Sequence, residues 1–121
     1  MQSKEQIFEA VMAAYKGLDD KFGQNITVLD ISEVSPLADY FMIATGMNPM
    51  QTEAMAEACK AECANAGLLL NRTEGRGTGW LLLDFGAVIV HIFDKEMRQF
   101  YDLERIWSDA KNIGMLPRGA Q

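Results

Sequence analysis

With one histidine and two cysteines in 121 residues, the chain has little material for a nucleophilic or metal centre. Cys59 and Cys63 stand four apart in a helical pattern, where disulfide geometry is poor. They read as reduced thiols of a cytoplasmic protein. No apolar run approaches the roughly 20 residues needed to cross a bilayer. The opening MQSKEQIFEA lacks an apolar h-region, so neither a membrane span nor a secretory signal is expected. Basic residues are the minority: 11 Lys and Arg stand against 17 Asp and Glu, a net charge of −6. Phosphate backbones repel such a surface, which argues against nucleic acid as the main contact. The same field favours encounter with a basic protein.

What is present is the composition of one globular domain, 49% apolar and 23% charged, with no repeat and no low-complexity segment. Ser3 and Gln6 form a capping box ahead of Ile7, Phe8, Val11, Met12, Tyr15 and Leu18 at helical spacing, so a first helix runs to the Gly17–Gly23 region. ITVLDI (26–31) and YFMIAT (40–45) read as strands, the second apolar at consecutive positions as if covered on both faces. Asn48 caps a second helix with Pro49 at its first position, and Gly67 stops it. Its alanines suit close approach to a sheet. Leu68–Leu70 reads as the start of a third strand and EGRGTG (74–79) as a flexible loop. Trp80–Asp84 and Val88–Phe93 are two strands turned by Phe85-Gly86. Asp94 caps a short helix through Phe100, and the residues after Lys111 read as a frayed tail. The expectation is an α/β fold: one mixed sheet of about five strands with helices packed on it.

Most apparent catalytic motifs dissolve on inspection. EGRGTG lacks the Lys-Ser/Thr and the following helix of a phosphate loop; Trp80 opens a strand there instead. Asp84-Phe85-Gly86 spells the kinase magnesium tripeptide in a chain too short for the other kinase parts. His91 sits in a strand between Val90 and Ile92 with no motif placing a nucleophile beside it. Cys59, Cys63 and His91 are too few for a structural zinc site. Asp94/Glu96 and Asp102/Glu104 are D-x-E pairs, but Asp94 is accounted for as a helix cap and Asp102/Glu104 follows a helix. A binding surface is the stronger candidate. Trp80, Leu82 and Asp84 share one face of their strand, and Leu81 and Leu83 the other; one of the two sets lies nearer the surface. Tyr101 and Trp107 add aromatic area, interleaved with Asp102, Glu104 and Arg105. Aromatics ringed by charges are the composition of interface hot spots.

Four ordered motifs then carry a resemblance. VLDISEVSPLADYFMIATG (28–46), EG (74–75), WLLLDFGAVIVHIF (80–93) and FYDLERIW (100–107) resemble the Iojap-like family, the bacterial ribosomal silencing factors, from about Ile7 to Trp107. That span makes 1–107 the domain and 108–121 a C-terminal tail. The resemblance implies an α/β fold related to nucleotidyltransferases, without established catalysis and without a cofactor or metal. It implies a translational repressor that binds the large ribosomal subunit through ribosomal protein L-fourteen and sterically blocks joining of the small subunit. By position, Trp80, Leu82 and Asp84 become the contact residues, with His91, Lys95 and Tyr101 beside them. The chain departs from the family pattern after Gly46, where Met47-Asn48-Pro49-Met50 stands in place of polar or basic residues. Two alternatives of other classes remain: a small metal-dependent nucleotidyltransferase-like enzyme using Asp94/Glu96, and a homodimer joined through the aromatic surface.

Overall fold

The first helix, α1 (Lys4–Asp20), begins where the capping box lies: Gln6 N–H donates to Ser3 Oγ at 3.1 Å, and Ser3 N–H to Gln6 Oε1 at 2.9 Å. The chain is described here from a computed structural model covering residues 3–114. After α1 come β1 (Gln24–Asp30), β2 (Tyr40–Thr45), α2 (Pro49–Asn65), β3 (Arg72–Glu74), β4 (Trp80–Asp84) and β5 (Val88–Phe93). Two short helices, α3 (Lys95–Tyr101) and α4 (Leu103–Ile106), lead to β6 (Lys111–Gly114). The strands form one mixed sheet in the order β3-β4-β5-β2-β1-β6, in which β2–β5 is parallel and every other pair antiparallel. Among the described residues, no helix is long and apolar enough to cross a membrane.

The period-2 alternation divides the sheet cleanly. Val28, Met42, Ala44, Leu81, Leu83, Val88, Val90 and Ile92 point to the face under α1 and α2, where Ile7, Val11, Leu18, Met55, Cys59 and Cys63 complete the larger core. Leu29, Phe41, Ile43 and Phe93 point to the opposite face, covered by Leu103, Met97, Tyr101 and Trp107. β2 is apolar at consecutive positions because both of its faces are covered. The fold class is therefore the expected one, with α1 and α2 on one face and α3 and α4 on the other.

Three local readings need correction. Residues 111–114, read as the start of a frayed tail, form a sixth strand that pairs with β1 through Leu29↔Asn112 and Asp30↔Lys111. A tail reading overlooked that β1 would otherwise present an unpaired edge; residues 115–121 lie outside the described residues. Leu68–Leu70 is not strand. Leu68 N–H donates to Cys63 O at 2.8 Å and Gly67 N–H to Ala64 O at 3.0 Å, so this stretch closes the C-terminus of α2, and the third strand starts at Arg72. The turn between β4 and β5 is Gly86-Ala87: Phe85 is buried and its N–H donates to Val88 O at 2.9 Å, while Gly86 takes the left-handed φ of 85°. Within the glycine loop, Thr78 donates to Gly75 O from both N–H (3.0 Å) and Oγ1 (2.6 Å).

The small residues of α2 serve its approach to α1 more than its approach to the sheet. Cys63 Sγ lies 3.9 Å from Ala10 O, and a Cβ on Gly17 would stand 2.8 Å from the backbone of Ala58 and Cys59. Helix propensity alone would make Gly17→Ala stabilising by about 1 kcal/mol. The clash with backbone reverses the sign: we expect a loss of about 1–3 kcal/mol. A lower urea midpoint at unchanged m-value is the predicted reading, whereas a higher midpoint would mean that α1 and α2 separate without cost.

Candidate docking surface

The face bearing α3 and α4 is only partly covered, and the uncovered strip lies over β3, β4 and the start of β5. Trp80, Leu82 and Asp84 all point to this face and are half-buried, whereas Leu81 and Leu83 are buried on the other. That settles which set of the tryptophan strand is nearer the surface. A groove of about 260 Å³ runs along it, walled by Glu74, Thr78, Trp80, Leu82, Met97 and Tyr101.

Trp80 is fixed on three sides. Its indole stacks on Phe93 with centroids 5.1 Å apart and lies 4.5 Å from the Tyr101 ring. Its Nε1–H donates to His91 Nδ1 at 3.0 Å. An indole nitrogen is a donor only, so Nδ1 must accept and the imidazole proton sits on Nε2. Nε2 is buried with no hydrogen-bond partner, and the neighbouring ring of Phe41 makes an edge contact at 4.8 Å. Burial pulls the His91 pKa down from 6.5 to about 4, so the ring is neutral at physiological pH.

Asp84 is already engaged. One carboxylate oxygen accepts Gly86 N–H at 2.8 Å, and the other lies 3.2 Å from Arg72 Nε, which also pairs with Glu74 at 2.9 Å. Arg72 is exposed, so this charge cluster faces solvent at the edge of the sheet. Lys95 is exposed on a different side of α3, at a second groove of about 410 Å³ that also takes in Thr45, Met47, Arg98 and Gln99. The six sequence candidates thus separate. Trp80, Leu82 and Tyr101 form one groove, and Asp84 lies farther along the same strand face. His91 lies beneath, only 4% exposed, and Lys95 stands apart.

Arg98 anchors the covering helices. Its guanidinium donates to Thr45 Oγ1 (3.0 Å), Thr27 Oγ1 (3.2 Å) and Glu104 Oε2 (2.8 Å), joining α3 to α4, β1 and β2. Of the carboxylates considered for metal chemistry, Asp94 Oδ1 accepts Met97 N–H at 2.8 Å as the cap of α3, and Glu104 pairs with Arg98. Among the described residues no group of three or more His, Cys, Asp and Glu side chains is placed to hold a metal ion.

Two residues escaped the sequence reading. Phe100 and Ile106 are 78% and 66% exposed, and Phe100 meets Tyr101 edge-on at 5.0 Å. In FYDLERIW, Leu103 and Trp107, four apart, pack inward, the latter edge-on against Phe41 at 5.2 Å. Helical spacing alone would put Phe100 and Ile106, each three residues from Leu103, on that same side; the left-handed Asp102 (φ 47°) breaks the helix between Phe100 and Leu103, and no local pattern announces that break.

A mixed sheet buried under long helices on one face, with an aromatic groove open on the other, defines a small α/β protein. The family described as "Ribosomal silencing factor during starvation" matches residues 3–120. Ribosomal silencing factor RsfS of Bacillus subtilis is 39% identical over 93 residues, covering 76% of this chain and 79% of that protein. Its namesake in Halalkalibacterium halodurans is 34% identical over 106 residues, 87% and 91% of the two chains. A crystal structure of a Chromobacterium violaceum protein superposes with a TM-score of 0.76 at 29% identity, covering 98% of this chain and 97% of the other. The chain belongs to the ribosomal silencing factor family, the one its motifs resemble.

The depressed His91 pKa has a thermodynamic consequence. The unfolded chain takes up the proton near pH 6.5 and the folded chain only near pH 4, so this contribution to stability is complete above 6.5 and is lost as pH falls toward 4. Between pH 7 and pH 5 we expect the protein to lose about 2 kcal/mol more stability than its His91→Asn variant. Urea unfolding at the two pH values measures this, and equal losses in the two proteins would contradict a buried neutral imidazole.

Proposed function

We propose that the chain is a cytoplasmic translational repressor that binds the large ribosomal subunit through ribosomal protein L-fourteen and sterically blocks joining of the small subunit, without catalysis. Membership in the silencing-factor family supports the ribosomal partner. The observation that carries the reading is the open groove around Trp80, Leu82 and Tyr101, which offers apolar area ready to be desolvated. Blocking by occupancy requires affinity and bulk, not a reactive group. Trp80 and Tyr101 supply large rings already held in place by their neighbours, so little side-chain freedom is lost on docking. Asp84 sits in a charge cluster where a basic side chain of the partner would exchange with or join Arg72. The net charge of −6 favours encounter with a basic protein and makes association faster at low salt. Exposed Phe100, edge-on to Tyr101, extends the apolar surface beyond the groove.

The enzymatic alternative receives no support from the carboxylates it needs, since Asp94 is committed to capping α3. A homodimer through the same groove would compete with the ribosomal protein, so adding L-fourteen protein would dissociate it.

Trp80→Ala is expected to weaken binding to isolated large subunits by at least about 2 kcal/mol, roughly thirtyfold. Co-sedimentation with purified subunits measures it, with circular dichroism confirming the fold. Undiminished co-sedimentation of the folded variant, or co-migration of the unmodified chain with the small subunit alone, would remove the assignment.

A further inference from the structure

We infer that His91 is a positioning residue for docking, acting through its Nδ1 to fix which edge of the Trp80 indole the partner meets. The inference rests on the proposed role of Trp80 and deepens it. His91 is 4% exposed, so no partner reaches it directly. Its strand position faces Phe41, Phe93 and Trp80, and an aliphatic residue would fill that space without burying an unpartnered Nε2–H. The property an aliphatic residue would lack is the acceptor at Nδ1, and that acceptor receives the indole N–H at 3.0 Å.

Stacking alone leaves the indole under-determined. Phe93 and Tyr101 pack against its ring, and such contacts are nearly as favourable when the ring flips about its attachment. A directional hydrogen bond at one edge breaks that degeneracy. The register supplies the geometry: Trp80 pairs with Phe93 and Leu82 with His91, so the imidazole lies diagonally across from Trp80 on the same face. The neutral ring, with its proton on Nε2, is the form in which Nδ1 accepts.

The test uses the full-length chain and isolated large subunits. In the 15N-labelled protein, Trp80 Nε1 and His91 Nδ1 should show scalar coupling across the hydrogen bond, and the imidazole the Nε2–H tautomer. His91→Leu is expected to bind about tenfold more weakly, while His91→Asn, whose Oδ1 replaces Nδ1 as acceptor, should remain within about threefold of the unmodified protein. In a Trp80→Phe background, which has no indole N–H, His91→Leu should bring no further loss; a merely structural role would cost the same in both backgrounds. Absence of the coupling, or full-strength binding by His91→Leu where Trp80→Ala is weakened, would overturn the inference and leave the docking assignment standing. Full-strength binding by Trp80→Ala would instead bring down the docking assignment itself, and this inference with it. The coupling is read in the unmodified chain, so the test survives if His91→Leu fails to fold.

Discussion

The parallel pairing of β2 with β5 at the centre of the sheet is the constraint from which the rest follows. Parallel strands in the middle of a sheet present two apolar faces, and both need cover. The chain meets this demand unequally. Two 17-residue helices close one face, while the other receives only α3 and α4, of seven and four residues. Eleven helical residues cannot shield a six-stranded sheet. The part left over, along β4 and the start of β5, is where Trp80, Leu82 and Asp84 emerge. The candidate docking surface is thus a consequence of how the core is completed.

Keeping the thin cover in place falls to Arg98. A partly buried guanidinium is costly unless its donors find partners, and here Thr27, Thr45 and Glu104 accept from it. The carboxylate comes from the far side of a left-handed residue, Asp102 (φ 47°), which bends α3 into α4 and returns Glu104 toward Arg98. Apolar contacts of Leu103 and Trp107 with the sheet add area to this polar clamp. Tyr101, which walls the groove, is held between the two, so the surface is as fixed as the clamp beneath it.

Much of this was legible in the sequence, for physical reasons that differ by element. α1 and α2 carry their own start signals in Ser3/Gln6 and Asn48-Pro49, and both begin where those residues stand. β4 and β5 carry strict alternation and β2 an unbroken apolar run, so their bounds and their cover were evident. β6 was not legible, because Lys111–Gly114 has no β pattern of its own and becomes strand only by pairing with β1. Leu68–Leu70 misled because a hydrophobic run after a helix stop serves equally as strand or as the helix's closing contact. At the surface, the alternation of β4 identified Trp80, Leu82 and Asp84 as companions. Whether His91 or Tyr101 touches solvent depended on the cover over β5, which no local pattern encodes.

Family membership supplies the ribosome as partner, and the half-covered sheet supplies a surface suited to it. On the proposed reading, repression comes from where the protein sits, in keeping with side chains engaged in caps, clamps and ring contacts. Subunit joining followed by light scattering, with the protein bound to large subunits before small subunits are added, is the most direct test of steric repression. The prediction is a dose-dependent loss of joined ribosomes that saturates at one protein per large subunit. Joining at an unchanged rate and extent, with the protein demonstrably bound, would contradict it.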